Sequence, residues 1–442
     1  TSIFKIFSLR KKAVFDCRKY YQIERGIYMR LLILGGGSGQ LSLIQKAKEL
    51  GHEVVVSDYY SDAPGKKIAD YSSESSTFDF EANLETAKKY KVDGVLTSGT
   101  DQPVYTAARV AAELNLNQYL SAATAKAVTN KRVMKNKFSA SEIPTVKYKI
   151  LAQDFSESEL EDFKRPFVIK PLDSQGQRGV FKLNSAAQIK EKFNEVLSFS
   201  REDQLLVEEY YKSDEITVSG WVVDGRAEIL TVTDRLRFEE DIHIGICSSH
   251  LFPSKYLKEK ITEIENLTQQ IVNEFGIENG PLYFQFLLGN EGIKVNEIAC
   301  RIGGAYEGDF MPELTGIDIL KMMVELAAGQ PVFQKPLKNY SLRDNVKHLS
   351  SQLFFAGPGK IKKITDSSEL LKLAGVLKVG LNYQVGDRIP EIENATARAG
   401  YFIVMADSKK ELQQRVQTVY DNLKIIDQSG KNLVLRTIGE NF

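Results

Sequence analysis

The 442 residues carry 58 Lys plus Arg against 58 Asp plus Glu, and this balance argues against a general nucleic-acid binder, which needs a basic excess to meet phosphates. Hydrophobic residues at 43% and charged residues at 26% exclude a mainly disordered chain and suffice for several cores at roughly 150 residues per domain. Three scattered cysteines, Cys17, Cys247 and Cys300, exclude a disulfide framework and fit a reducing, cytoplasmic compartment, while no apolar run approaches the ~18 residues of a membrane span.

Residues 1–28 are basic and aromatic, lack the apolar core of a secretory signal, and read as an extension outside the fold. From Met29 the pattern becomes strand, glycine turn, helix, strand. Arg30–Leu34 is apolar and ends at Gly35, Gly36 and Gly37. Leu41, Ile44, Ala47 and Leu50 give an apolar helix face, and Glu53–Ser57 is a Val-rich strand ending at Asp58. A charged helix through Tyr90, a strand at 94–97 and a helix at 103–114 continue the alternation, which predicts a parallel, doubly wound sheet. Past Ile143-Pro144 the character changes. Phe167 to Lys170 is a short apolar strand; 204–208 and 215–223 read as strands of an antiparallel sheet, with Asp224-Gly225 as a hairpin turn. A helix at 257–275, strands at 283–288 and 293–298, a helix at 317–328, a linker at 330–336 and a final helix at 409–423 complete the order.

Four clusters carry candidate chemistry. GGGSGQ follows a strand, with Asp58 about twenty residues on, as in dinucleotide sites. Gln40 and Ser42 stand where the third glycine is required, and tight packing alone also calls for such glycines. FVIKPLDSQGQRGV places Lys170 at a strand end before a loop with Ser174, Gln175, Gly176 and Gly179, whose N–H groups can fold over an anion; a plain hairpin with a solvated lysine reads equally well. In LLVEEYYKSDEITVSGWV, Glu208 can accept from an adenine amino group, the backbone at Tyr210 and Tyr211 can meet the adenine edge, and Glu215 can accept from ribose hydroxyls. Two solvated glutamates are the alternative. In PLYFQFLLGNEGIKVNEIACRIGG, Gln285 and Glu297 lie on consecutive strands of a hairpin and offer hard oxygen ligands for Mg²⁺, with Arg301 placed to hold phosphate or pair with Glu297.

The order lysine strand, glycine loop, two carboxylates, metal hairpin, arginine resembles the ATP-grasp superfamily, over about residues 29–426. The segments SGTDQPVYTAARVAAELNL and NKRVMKNKFSASEIPTV are similar to carbamoyl-phosphate synthetase large subunits, NEIACR to carboxyaminoimidazole ribonucleotide synthetase, and AGPGKIKKI and ARAGYFIVMADS to biotin-carboxylase-like enzymes and L-amino-acid ligases. The resemblance implies an α/β and α+β architecture. Its parts are a Rossmann-like preATP-grasp domain at 29–125, an ATP-grasp domain at 126–332 with a lid at about 140–205, and a biotin-carboxylase-like C-terminal domain at 333–442.

By the same resemblance ATP and Mg²⁺ are the cofactors. Lys131 and Lys170 reach the phosphates, residues 174–179 cover them, Glu208, Tyr210 and Tyr211 hold adenine, and Glu215 holds ribose. Gln285 and Glu297 bind metal, and Arg301 stands by the transferred phosphate. Ala299 replaces the metal-binding Asn of many relatives. The implied activity is carboxylate–amine ligation through an acyl phosphate, releasing ADP and phosphate, on small molecules and best on an amino acid. A bicarbonate-using carboxylase or a carbamoyl-phosphate synthetase-like enzyme is the nearest rival, and an oxidoreductase built on GGGSGQ a more distant one. Arg235, Arg237, His250 and Arg398 are candidates for the acceptor pocket, Trp221 reads as core, and family analogy suggests a homodimer.

Overall fold

The structure, a computed structural model, describes residues 28–238, 244–332 and 334–436. The extension expected over residues 1–28 therefore lies, but for Tyr28, outside the described residues. The chain forms a mixed parallel and antiparallel α/β fold built on four sheets.

The first sheet is parallel, in the order Tyr71–Ser73, Glu53–Ser57, Arg30–Leu34, Gly94–Leu96. Leu31 to Leu34 and Val54 to Val56 are fully buried, as continuous apolar strands must be when helices cover both faces. The helices Leu41–Glu49, Phe80–Tyr90 and Pro103–Glu113 supply that cover. The glycine turn after the first strand is closed by its own chain. Gly35 adopts φ +99°, and the Gly36 N–H donates to Asp58 Oδ2 at 2.7 Å. The carboxylate that suggested a dinucleotide site is thus engaged in holding the turn.

The second sheet, antiparallel, runs Tyr148–Leu151, Leu205–Glu209, Phe167–Pro171, Phe181–Leu183, with helix Ala186–Leu197 packed on it around Phe155, Phe167, Ile189 and Phe193. The third has eight strands, in the order Gly292–Ala299, Gly280–Gly289, Ser213–Val223, Arg226–Phe238, Ile246–Phe252, His348–Phe354, Gly400–Ala406, Val376–Leu381. The strands expected at 204–208 and 215–223 both form, but not in one sheet. Leu205–Glu209 pairs within the second sheet and Ser213–Val223 within the third. The three residues between them carry the chain from one layer to the other. Trp221 is core, 2% exposed. The helix Leu257–Phe275 follows its predicted bounds, because Ile261, Ile264, Leu267, Ile271 and Phe275 form one apolar stripe. Of the stretch read as a linker, 330–332 and 334 are irregular, and Lys335–Asn339 is a short helix with Leu337 buried.

A three-stranded sheet (Arg388–Ile389, Gly359–Ile364, Ile425–Asp427) and the helix Lys409–Asn422 complete the chain. One contact ties three distant segments. Asp309 Oδ1 accepts from Ser42 Oγ at 2.6 Å and from Lys378 Nζ at 2.6 Å, and Lys378 also donates to Ser42 Oγ at 3.0 Å.

Candidate active site

The first three sheets leave a cavity of about 520 Å³ between them. Every expected site residue lines it except Gly179, which instead shapes the loop from behind. Its φ is +71°, and a Cβ there would come within 2.9 Å of both Phe199 and Pro171.

Lys131 opens the helix Lys131–Ala140, whose first turn is capped by Asn130 Oδ1 accepting the Val133 N–H at 3.1 Å. The cap fixes the helix start, and with it the Lys131 side chain. Its Nζ donates to the Ser174 carbonyl at 2.9 Å and lies 3.4 Å from Glu297 Oε1. Lys170, near the end of Phe167–Pro171, sits 2.6 Å from Glu208 Oε2 and donates to Asn296 Oδ1 at 3.1 Å. The other Glu208 oxygen is 2.6 Å from Lys135 Nζ, a buried ammonium that also donates to Thr145 Oγ1 at 2.6 Å. Burial alone would raise the Glu208 carboxyl, but Lys135 and Lys170 outweigh it and hold it down at about 2. Glu208 is therefore an ionised bridge between two lysines. A carboxylate has about four lone-pair sites, so two ammonium partners leave room for an adenine amino group.

Lys135 was not singled out in the sequence. Its signal was present: it lies four residues after Lys131 in NKRVMKNK, one helical turn on the same face. Asp101 was also missed. It pairs with Arg301, with Nε donating to Oδ1 at 2.7 Å, across 200 residues of sequence, which no local pattern announces. Burial works against the Arg301 charge, and Asp101 with Tyr283 more than restores it.

Tyr210 and Tyr211 are more occupied than expected. The Tyr210 N–H donates to the Pro166 carbonyl at 2.9 Å. The Tyr211 hydroxyl accepts from the Glu291 N–H and donates to the Gly292 carbonyl, both at 2.9 Å, so its ring braces the metal hairpin turn. Contacts to a base from this segment fall to its other backbone atoms. Glu215 is buried, with Oε2 2.9 Å from Arg235 Nη1 and 3.5 Å from Arg237 Nη1. Arg235 also donates to the Gly245 carbonyl at 3.1 Å and Arg237 to the Ser213 carbonyl at 2.9 Å. Both arginines line the cavity and are held there by these protein partners.

The glycine loop is held from both sides. Gln175 Oε1 accepts the Gln102 N–H at 3.0 Å, from the start of the helix beyond the parallel sheet. The Gly176 carbonyl accepts the Ala395 N–H at 3.2 Å, from the C-terminal part. Arg398, three residues on, lines the cavity and donates to the Cys247 carbonyl at 3.5 Å.

Gln285 and Glu297 face each other in antiparallel register. Burial would raise the Glu297 carboxyl, but Lys131 and Lys170 hold it below the usual range, so it offers an anionic oxygen. Among the described residues no group of three or more His, Cys, Asp or Glu could hold a metal ion. One carboxylate and one amide oxygen on the cavity wall nevertheless fit Mg²⁺, which keeps most of its shell as water and phosphate oxygen.

Comparison with known proteins agrees with this geometry. Residues 163–309 match the ATP-grasp domain model, and residues 352–427 match L-amino acid ligase C-terminal domain 2. Residues 163–309 are thus an ATP-grasp domain. The chain is similar to a formate-dependent phosphoribosylglycinamide formyltransferase of Sulfurisphaera tokodaii, 26% identical over 56% of this chain and 64% of that one. It is similar to dapdiamide A synthase of Enterobacter agglomerans, 20% identical over 58% of this chain and 61% of that one. The matches thus span less than two thirds of these two relatives. The crystal structure of an L-amino acid ligase from Bacillus licheniformis shares the fold, with a TM-score of 0.76, 20% identity, and coverage of 90% of this chain and 99% of that one. Among the described residues no helix is long and apolar enough to cross a membrane.

Proposed function

We propose that the protein is an ATP-dependent carboxylate–amine ligase that joins an amino acid to an amine through an acyl phosphate, releasing ADP and phosphate. The observation that carries this reading is the convergence of Lys131, Lys170 and Arg301, from three distant segments, on one cavity closed by a glycine loop. ATP brings about four negative charges, and a carboxylate must approach its γ-phosphate; fixed cations offset that repulsion and the charge of the transition state. The similarity to dapdiamide A synthase and to an L-amino acid ligase supports an amide product.

In this reading Lys131 and Lys170 bind the phosphates, Glu208 and the backbone near Tyr211 bind adenine, Glu215 approaches ribose, and Arg301 stands by the acyl phosphate. Gln285 and Glu297 would hold Mg²⁺, whose charge, when bound, neutralises phosphate oxygens. The loop containing Ser174 and Gly176 excludes water from the acyl phosphate, which would otherwise hydrolyse. The chain divides functionally at 29–125, 126–332 and 333–442, although the eight-stranded sheet runs across the last boundary.

The test is ADP release with ATP and Mg²⁺ against amino acids, dipeptides and bicarbonate, with mass spectrometry of products. The ligase reading expects ADP together with an amide when carboxylate and amine are both present. ADP release driven by bicarbonate alone would overturn it in favour of the carboxylase reading.

A further inference from the structure

Beyond the nucleotide end, the cavity holds a buried pair that the reading above leaves unused. His250, on Ile246–Phe252, and Glu307, the first residue of helix Glu307–Thr315, are each 1% exposed. His250 Nδ1 lies 3.9 Å from Glu307 Oε1. Among the described residues neither His250 Nε2 nor Glu307 Oε1 has a hydrogen-bond partner, although burying unpaired polar atoms costs free energy that a purely structural residue would avoid. The pair is held in place. Glu307 Oε2 accepts the Ala305 N–H at 2.9 Å, and the carboxylate folds beneath Gly303, where a Cβ would approach it to 2.2 Å. Only glycine at 303 leaves that room.

The tautomer of His250 follows from its neighbours. Thr233 Oγ1 lies 3.0 Å from Nδ1 and makes a long 3.5 Å contact as donor to the Thr217 carbonyl. With its proton directed there, the hydroxyl accepts from Nδ1–H, and Nε2 is left as a bare lone pair on a residue that lines the cavity. Burial, with Arg235 and Arg398 nearby, pushes the imidazole well below its ordinary value and keeps it neutral. Glu307 is surrounded by Arg301, Arg398, Tyr283, Cys247 and His250, and burial pushes its carboxyl up to about 7.

We propose that His250 Nε2 is the base that takes the proton from the incoming ammonium in the second half-reaction, and that Glu307 is the positioning residue that steadies the imidazolium so formed. This rests on the ligase reading. An amine nucleophile arrives as R–NH₃⁺ and cannot attack until it loses a proton. His250 Nε2 accepts that proton, giving the neutral amine and an imidazolium. The amine lone pair then forms the C–N bond at the acyl carbon, and the C–O bond to phosphate breaks. The remaining surplus proton leaves with the phosphate as HPO₄²⁻, and His250 returns its proton to solvent on product release. The ionised Glu307 carboxylate, 3.9 Å from Nδ1, offsets the imidazolium charge through space.

The experiment separates the two halves of the reaction. Hydroxylamine is uncharged at neutral pH and needs no base, so it captures an acyl phosphate as a hydroxamate. Wild type, Glu307→Gln and His250→Asn are assayed with ATP, Mg²⁺ and a mixture of proteinogenic L-amino acids, with and without hydroxylamine. The expected result is an amide-to-hydroxamate ratio about 100-fold lower in both variants, the usual worth of a general base, and loss in Glu307→Gln of the fall in amide synthesis below about pH 7. An unchanged ratio in either folded variant overturns the proposal, as does an equal loss of both products, which marks a structural role. If wild type yields no hydroxamate and no amide, the ligase reading itself fails.

Discussion

Asp101 and Arg301 form a buried ion pair, with Arg301 Nη2 2.6 Å and Nε 2.7 Å from the same Asp101 oxygen. Asp101 follows the parallel strand Gly94–Leu96 and Arg301 follows the metal hairpin strand Gly292–Ala299. The arginine proposed to act on the acyl phosphate is thus aimed by a residue from a different sheet.

Asp101→Asn keeps the shape and one acceptor oxygen but removes the charge. Arg301 then loses its orientation while ATP contacts persist. We expect kcat about 100-fold lower, the cost of a small misplacement at a reacting centre, with KM for ATP nearly unchanged. Steady-state kinetics over both substrates reads the split; an equal rise in KM for ATP would contradict it.

Lys135 touches no cavity wall, yet it carries half of the charge that holds Glu208. Lys135→Met leaves a buried carboxylate with one cation, and removing one partner of such a network costs about 3 kcal/mol. Urea denaturation should show that loss, and KM for ATP should rise because Lys170 shifts toward Glu208. Lys135→Arg should recover most of both.

Gln285 faces Glu297 and supplies an uncharged oxygen. Gln285→Glu adds an anionic ligand, so half-saturation should need roughly tenfold less Mg²⁺, about 1.4 kcal/mol. Glu297→Ala should abolish turnover while leaving the circular dichroism spectrum intact. Titration of ADP release with MgCl₂ at fixed ATP checks the first, and a full rate in the second would remove Glu297 from the site.

Glu307 also fixes a stability trend. Its folded carboxyl is raised from 4.5 to about 7, so between those values the folded state binds more protons than the unfolded one. Stability from this group is fully present below pH 4.5 and is lost as pH rises through about 7. The total is on the order of 3 kcal/mol. Thermal melts across this range should fall less steeply for Glu307→Gln than for wild type.

The sequence carried most of the elements and little of their arrangement. The helix at 257–275 was legible because its apolar stripe is regular. Arg226–Phe238 and Ile246–Phe252 were not read as strands. Their Arg235, Arg237 and His250 line the cavity, and their many polar residues leave neither with the continuous apolar run that marks other buried strands of this chain. Glu208 and Lys170 were legible because each ends an apolar run. The lysine behind Glu208 and the aspartate behind Arg301 were not, since their meaning lies in partners across the fold. Arg235 and Arg237, read as candidates for the acceptor pocket, line the cavity, but the sequence did not reveal that Glu215 engages both.

The contact among Ser42, Asp309 and Lys378 bears on how such a protein could be recombined. A chimera that borrowed only its first hundred residues from a relative would bring a foreign neighbour to Asp309. That carboxylate would then keep Lys378 as its sole counterion. Exchanging positions 42, 309 and 378 together would keep this contact whole in a hybrid chain.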